Sequence, residues 1–242
     1  MTALNGRLKI MADIVKNGEA MADIGSDHGF LPLYLCENEI CSKAVITDIS
    51  AASLQKAKDA FTSYTGGAIV DFRVGDGLSA LYAREVDIVV IAGVGGELIT
   101  RILGEDVLKT LSFPRYILQP RNGSGKLRYW LEEAGFSILA ENLAEEGKFI
   151  CEIITAAPPR GIFQPPLLEG HSGAIEYEIP GKLSCDEKEM FIRFLNKKIG
   201  VEKNVIAAMT AGNVAAVGKV KTVERRKDFL EGLLKGVEND GF

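Results

Sequence analysis

The sequence predicts an α/β fold: a largely parallel sheet that ends in an antiparallel pair of strands, followed by a helical hairpin. Three observations carry this. From residue 20 onward, short apolar runs alternate with glycine-containing turns and helical stretches. Phe136 to Ala144 and Lys148 to Ala156 are two β-rich runs joined only by Glu145-Glu146-Gly147, too short for a crossover helix, so they pair antiparallel. Near the C-terminus, Ala216, Val223, Leu230 and Val237 fall seven apart with Leu233 and Leu234 between them, the spacing of a coiled-coil-like seam.

Each element follows in chain order. Leu4, Leu8, Met11 and Val15 recur at helical spacing, which predicts a helix over 2–16 stopped by Asn17-Gly18. Ala20 to Ile24 is a short apolar strand that breaks into Gly25-Ser26-Asp27-His28-Gly29, and a helix starts near Leu31. Ala44 to Asp48 is a second strand, followed by a helix over 51–64, and Ile69 to Val74 is a third. Val86 to Ala92 is almost wholly apolar, as expected of a central parallel strand covered on both faces. Arg115 to Gln119 reads as the fifth strand and 124–134 as a helix ended by Gly135. After the antiparallel pair, the Pro- and Gly-rich stretch 158–181 predicts an irregular linker, and helices are expected over 186–209 and 213–238. The expected domains are therefore 1–157, a linker over 158–181, and a helical domain over 182–242.

The 242 residues are 47% hydrophobic and 25% charged, which excludes disorder, collagen and a disulfide-knit toxin. No window approaches 18 uninterrupted apolar residues and the N-terminus lacks the pattern of a signal peptide, so a cytosolic protein without a membrane partner is expected. Cys36, Cys41, Cys151 and Cys185 form no CxxC pair and His28 lies far from His171, which favours reduced, buried thiols over a metal site. The net charge of −5 conceals a segregation: residues 1–181 carry −8 and residues 182–242 carry +3. Phosphate binding depends on local clusters of Lys and Arg, so the C-terminal helices leave an RNA partner open, against the alternative of a solvated helical face.

Chemistry gathers at the ends of three strands. Small residues in Asp23-Ile24-Gly25-Ser26-Asp27-His28-Gly29 let backbone approach a ligand at a helix N-terminus, although the run is not GxGxxG and a buried turn is the alternative. Asp48 ends the second strand 23 residues after Gly25, near the spacing at which an acidic residue takes ribose hydroxyls; a helix cap is the alternative, a job open to Ser50. Gly75-Asp76-Gly77 offers a carboxylate to an adenine amino group, or is a plain turn. Together the three favour an adenosine-containing cofactor, because open α/β sheets bind ligands at the carboxyl ends of their strands. A dehydrogenase would want a second βαβαβ half, which the hairpin at 136–156 displaces.

A parallel sheet ending in an antiparallel pair, with a DxGxxxG turn after the first strand and acids after the next two, resembles the Rossmann-like class I S-adenosylmethionine-dependent methyltransferases. The runs ADIGSDHGFLP (22–32), GDGL (75–78), IAGVGGELI (91–99), LQP (118–120) and LRYWL (127–131) are similar to those of the bacterial TrmK family, tRNA adenine-N1 methyltransferases acting at position 22. They keep the family's order within residues 1–156, and the C-terminal hairpin resembles its small second domain. Two departures stand out: Val94 in place of the Met of AGMGG, and Gln119-Pro120-Arg121-Asn122 in place of LQPN, which shifts the amide's register.

The resemblance implies S-adenosylmethionine as cofactor, tRNA as partner and direct in-line methyl transfer. Asp23, Gly25, Ser26, Asp27, His28, Gly29, Asp48, Ile49, Asp76, Gly77, Ala92 and Gly93 are expected to line the cofactor. Gly93, Gly95 and Gly96 would admit the base or, alternatively, pack the next helix, with Gln119 and Asn122 as hydrogen-bonding partners for the base edge. His28 reads more readily as a histidine satisfied by backbone than as a general base. RNA contacts are expected at Arg7, a residue matching an arginine of the family, and along the hairpin at Lys197, Lys198, Lys203, Lys219, Lys221, Arg225, Arg226 and Lys227. Two other readings stay open: a methyltransferase of this fold acting on a small molecule, and a non-catalytic RNA-binding protein that retains the cofactor fold.

Overall fold

The computed structural model describes residues 2–4, 6–168, 175–211 and 217–240. They divide into two compact units, Met1–Lys182 and Leu183–Phe242. The first is built on a seven-stranded sheet of β1 (Ala20–Ile24), β2 (Lys43–Asp48), β3 (Ile69–Val74), β4 (Ile88–Val94), β5 (Arg115–Pro120), β6 (Ser137–Glu146) and β7 (Phe149–Ala157). The strand order is β3-β2-β1-β4-β5-β7-β6. β1 to β5 run parallel, and β7 enters antiparallel between β5 and β6; the link expected at 145–147 is shorter still, since Glu145 and Glu146 pair within β6 and only Gly147 and Lys148 make the turn.

The apolar strands are apolar throughout because both faces are covered. Met21, Ile88 and Val90 point into one core layer, while their neighbours Ala22, Val89 and Ile91 point into the other. The helices that cover them are α1 (Gly6–Ile14), α2 (Phe30–Glu37), α3 (Ala51–Ala60), α4 (Gly96–Glu105), α5 (Val107–Leu111) and α6 (Ser124–Glu133). α3 is shorter than its sequence predicts, since the chain tightens into a 3-10 turn at Phe61–Ser63. α5 was not foreseen; Asp106 caps it by accepting a hydrogen bond from the Lys109 amide at 2.9 Å.

A buried ion network ties three elements of this unit to the end of its chain. Arg128 on α6 donates through Nε to Glu141 of β6 at 2.6 Å, through Nη2 to Glu152 of β7 at 2.6 Å, and through Nη1 to the Tyr177 carbonyl at 3.0 Å. Glu141 also accepts from the amides of Gly181 and Lys182. Arg128 and Glu141 are 4% and 2% exposed, so removing either leaves an unpaired buried charge. Arg128→Met is therefore expected to cost about 3–5 kcal/mol in chemical denaturation. A loss under about 1 kcal/mol, the range of exposed pairs, would contradict this account of the network. The stretch expected to be an irregular linker holds a 3-10 turn at Ile175–Glu178 and packs on this unit: Phe163 sits edge-on to Trp130 and Phe136 in the core.

The cysteines divide. Cys36 and Cys41 are buried with their sulfurs 3.5 Å apart, whereas Cys151 is half-buried and Cys185 exposed, so the expectation of four buried thiols is corrected at two positions. Cys185 lies in a short 3-10 turn directly before a helix, with its side chain outside any core. His171 lies outside the described residues.

The second unit is a helical hairpin of α7 (Lys188–Ala211) and α8 (Val217–Asp240). Leu230 is fully buried and Val223, Leu233, Leu234 and Val237 are half-buried, as the heptad spacing requires; Ala216 lies outside the described residues. Arg226 on α8 pairs with Glu202 on α7 at 2.9 Å, and Lys203 with Glu231 at 3.2 Å. Among the described residues no helix is long and apolar enough to cross a membrane.

Candidate active site

Strand order reverses between β1 and β4, which opens a crevice at their carboxyl ends where sheets of this kind take ligands. The turn after β1 winds tightly, with Gly25, Asp27 and Gly29 at φ of 72°, 49° and 67°. A side chain on Gly29 would strike Ala57 at 3.0 Å, so this glycine packs the turn on α3. Space above Gly25 is open, which leaves room for a ligand against the backbone. The amides of Gly25 and Ser26 both donate to the Thr47 carbonyl and that of Gly29 to Ser26. The turn therefore offers open space and carboxylates, while the amides of Gly25, Ser26, Asp27 and Gly29 are engaged within the protein.

Asp48, at the end of β2, organises that turn. Its Oδ1 accepts from the Ser50 amide at 2.8 Å and its Oδ2 from the Asp27 amide at 3.4 Å. Capping of α3 falls to Ser50, whose hydroxyl accepts from the Ser53 amide at 3.3 Å, so Asp48 is not the cap. Ile49 beside it is 68% exposed, an apolar surface beside the acid. Asp76, after β3, is exposed and its carboxylate has no protein partner among the described residues. Gly75 and Gly77 are packing glycines: an added side chain would meet Ala80 at 2.7 Å and Ile102 at 3.1 Å respectively.

Asp23, within β1, is the electrostatically unusual group. Burial pushes its carboxyl up to about 6; the Ser26 hydroxyl, donating at 2.6 Å, opposes this and the charge of Asp48 adds to it. Asp27 behaves in the opposite way, held below the usual carboxylate range by Lys56 at 2.9 Å, with His28 assisting at 3.4 Å.

The end of β4 carries a bulge. Pairing with β5 slips between Ala92 and Val94, so Gly93 leaves the ladder at φ 76° with open space where a side chain would stand. Its amide donates to Gln119 Oε1 at 3.1 Å, while Gln119 Nε2 donates to the Pro120 carbonyl at 3.0 Å. The loops after β4 and β5 are further laced by Arg121 N to Val94 O at 2.8 Å and Gly96 N to Asn122 O at 2.9 Å. Gly96 has no room for a side chain, since Gly123 O would lie 2.5 Å from its Cβ. Among the described residues, no group of three or more His, Cys, Asp or Glu side chains gathers as a metal would require.

The methyltransferase domain model matches residues 4–154 of the chain. The tRNA (adenine(22)-N(1))-methyltransferase of Bacillus subtilis is 35% identical over 153 residues, 63% of this chain and 64% of that protein. The chain thus aligns with under two thirds of that relative's length. The crystal structure of the B. subtilis m1A22 tRNA methyltransferase TrmK superposes with a TM-score of 0.77 at 25% identity, covering 97% of this chain and 100% of that one. A Streptococcus pneumoniae candidate tRNA (m1A22) methyltransferase in complex with S-adenosyl-L-methionine superposes at 0.76 with 26% identity, covering 94% and 98%. The chain belongs to the TrmK family of methyltransferases.

Within this TrmK-family chain the crevice collects Asp23, the Gly25–Gly29 turn, Asp48, Ile49, Asp76, Ala92 and Gly93 around adjoining strand ends. Gln119 departs from expectation: it is 2% exposed with both ends of its amide bound to backbone, so it braces the two loops instead of presenting an edge to a base. Asn122 is exposed, and its Oδ1 would lie 3.2 Å from a Cβ on Gly95. Arg7 also departs, forming an ion pair with Glu146 that ties α1 to β6. On the hairpin, Arg226 serves the Glu202 pair and Lys227 lies 3.0 Å from Asp228, whereas Lys197, Lys221 and Arg225 are exposed; the Lys219 side chain lies outside the described residues. Lys56 and Phe30, which have no part in the sequence reading, both lie against this turn, Lys56 on Asp27 and Phe30 on His28.

Proposed function

We propose that this chain transfers the methyl group of S-adenosylmethionine to N1 of adenine 22 in tRNA. The observation that carries the proposal is that the carboxyl ends of β1, β2 and β3 each carry a carboxylate on the same edge of the sheet as the open Gly93 bulge of β4. The residues fit the cofactor. Asp23 is a buried carboxyl whose ionisation is costly until a cation arrives, which suits the cofactor's ammonium. Asp48 suits the ribose hydroxyls, Ile49 one face of adenine, and the unpartnered Asp76 the adenine amino group. When bound, the cofactor supplies an electrophilic methyl on a sulfonium.

Adenine N1 carries an in-plane lone pair, so no base has to remove a proton first. The task of this chain's residues is orientation for in-line attack. Gly93 leaves the space through which base and methyl meet, Gln119 fixes the bulge that makes this space, and Asn122 presents an amide to the base edge. A base held in a folded RNA must first leave its stack, at a few kcal/mol. Phosphate contacts that repay part of this come from the hairpin, chiefly Lys197, Lys198, Lys221 and Arg225, and the substrate places the chain in the cytosol.

Incubation with labelled cofactor tests this: methyl incorporation into unmodified tRNA and not into a metabolite extract is expected. Label in metabolites alone would indicate a small-molecule methyltransferase, and no calorimetric binding of the cofactor would indicate a non-catalytic protein. Asp48→Ala is expected to weaken cofactor binding by about 1.5–3 kcal/mol, the worth of hydrogen bonds to a charged group. Unchanged affinity in a folded variant would reduce Asp48 to a turn organiser. Charge reversal at Lys221 and Arg225, which spares the Arg226–Glu202 pair, should weaken tRNA binding and lower its log-log salt slope by about two, with cofactor binding unchanged. An unaltered slope would remove the hairpin as the RNA-docking element.

A further inference from the structure

At the end of α2 away from the cofactor turn, two cysteines meet in an arrangement that methyl transfer does not use. Cys36 lies in the last turn of α2 and Cys41 shortly before β2. A tight reversal joins them. The Glu39 amide donates to the Cys36 carbonyl at 3.2 Å, with Glu39 itself at φ 56°, and the amides of Ile40 and Cys41 both donate to the Leu35 carbonyl, at 2.9 and 3.4 Å. A positive φ at a residue other than glycine is costly, so the surrounding structure holds this reversal in place. It brings the two sulfurs within 3.5 Å, with either able to donate to the other.

Buried cysteines are often no more than small apolar core residues. This pair differs in having a way in. A cavity of about 220 Å³ has Cys36 in its wall, together with Glu37, Tyr64 and the exposed Glu39, Ser63 and Gly66. The far wall is firmly built: the Tyr64 hydroxyl accepts from the Ala68 amide at 2.9 Å, and a side chain on Gly66 would strike the Tyr64 ring at 2.5 Å. Glu37 and Glu39 place two carboxylates on the cavity, which favours a small neutral reagent over an anionic one such as oxidised glutathione. Among the described residues, no group of three His, Cys, Asp or Glu side chains forms that could hold a metal, so the two sulfurs stand as a dithiol.

We propose that Cys36 and Cys41 form a modification site, a dithiol that hydrogen peroxide entering by this cavity converts reversibly to a disulfide. The hydrogen bond between the sulfurs prepares the pair, drawing Cys41 below the ordinary thiol range and pushing Cys36 above it, so that after the first ionisation one proton is shared. That proton passes to Cys41 as Cys36, the sulfur at the cavity wall, attacks one peroxide oxygen. The O–O bond breaks, Cys36 becomes a sulfenic acid, and the departing hydroxide takes up a proton as water. Cys41 sulfur then attacks Cys36 sulfur, the S–O bond breaks, and a second water leaves with the thiol proton. Two thiols and one peroxide thus give one disulfide and two waters. The new bond ties the end of α2 to the chain entering β2, two elements whose opposite ends carry the Gly29 turn and Asp48. Disulfides of this kind in a reducing compartment are transient and report on oxidants.

The test uses the full chain with Cys151→Ser and Cys185→Ser, which leaves the pair as its only thiols. The folded protein is treated with hydrogen peroxide or, separately, with oxidised glutathione, quenched by alkylation, and analysed by intact mass and non-reducing peptide mapping. Peroxide is expected to yield a protein two hydrogens lighter, with Cys36 joined to Cys41, and dithiothreitol should restore both thiols. Oxidised glutathione should act more slowly. The oxidised protein should melt about 4–8 °C higher than the reduced one, the effect of closing a short loop. Adding Cys41→Ala should stop the reaction one oxygen heavier, at the Cys36 sulfenic acid, whereas adding Cys36→Ala should leave Cys41 a free thiol. No disulfide from the folded protein, one formed by oxidised glutathione and not by peroxide, or an oxidised protein that melts below the reduced one would each overturn the proposal. Oxygen found on Cys41 in the Cys36→Ala protein would overturn the assignment of Cys36 as the attacking sulfur.

Discussion

Asp23→Asn is expected to stabilise the cofactor-free protein at neutral pH and to remove most of its affinity for S-adenosylmethionine. The carboxyl titrates near 6 in the fold against an ordinary value of 3.8, so the folded state holds the proton more tightly than the unfolded state does. The stability that this contributes is complete below about pH 3.8 and is lost as pH rises through about 6. Raising the carboxyl from 3.8 to about 6 corresponds to roughly 3 kcal/mol, an upper measure of what the amide recovers at pH 8, with no gain at pH 3.5. The same carboxylate, once ionised, is the partner proposed for the cofactor's ammonium. Cofactor affinity of the wild-type protein should therefore fall as pH drops below about 6, and the Asn variant should bind weakly at every pH. Thermal melts and calorimetric titrations across this range measure both halves. A variant that is no more stable at pH 8, or that binds the cofactor normally, would contradict the role given to Asp23.

Gly95→Val is expected to abolish methyl transfer while leaving cofactor binding near normal. Gly95 has an ordinary backbone conformation, so the substitution does not strain the chain. Its effect is local: a Cβ there stands 3.2 Å from Asn122 Oδ1, and the two branches of valine would displace that amide and fill the approach to Gly93. A misplacement of about 1 Å in such a site costs on the order of a hundredfold in rate. Single-turnover transfer at saturating cofactor gives the comparison. Wild-type transfer by a folded Gly95→Val protein would show that Asn122 does not orient the base and that the substrate enters elsewhere.

Much of the fold was legible because the signals are local. The apolar runs at 20–24, 44–48 and 86–92, the turns that follow the first two and the short link before Phe149 each fix an element without knowledge of the rest. The strand-end acids were legible for the same reason, since a parallel sheet brings the ends of successive strands to one edge. What escaped depends on distant partners. Arg128 meets Glu141 and Glu152 across 13 and 24 residues of chain, and no periodicity announces that network. Gln119 was expected at a base edge, but the Gly93 bulge, which nothing in a single strand reveals, claims its amide. Arg226 looked like a phosphate contact until α7 placed Glu202 beside it.

Mapping the methylated nucleoside tests the central claim most directly. Unmodified tRNA with adenine at position 22, and the same tRNA with guanine there, are incubated with the protein and labelled S-adenosylmethionine, then digested and analysed by mass spectrometry alongside primer extension. The proposed reaction predicts N1-methyladenosine at position 22 of the first tRNA, with a reverse-transcription stop at that nucleotide, and no label in the second. Equal labelling of both tRNAs, or methyl groups on another atom or another nucleotide, would contradict it.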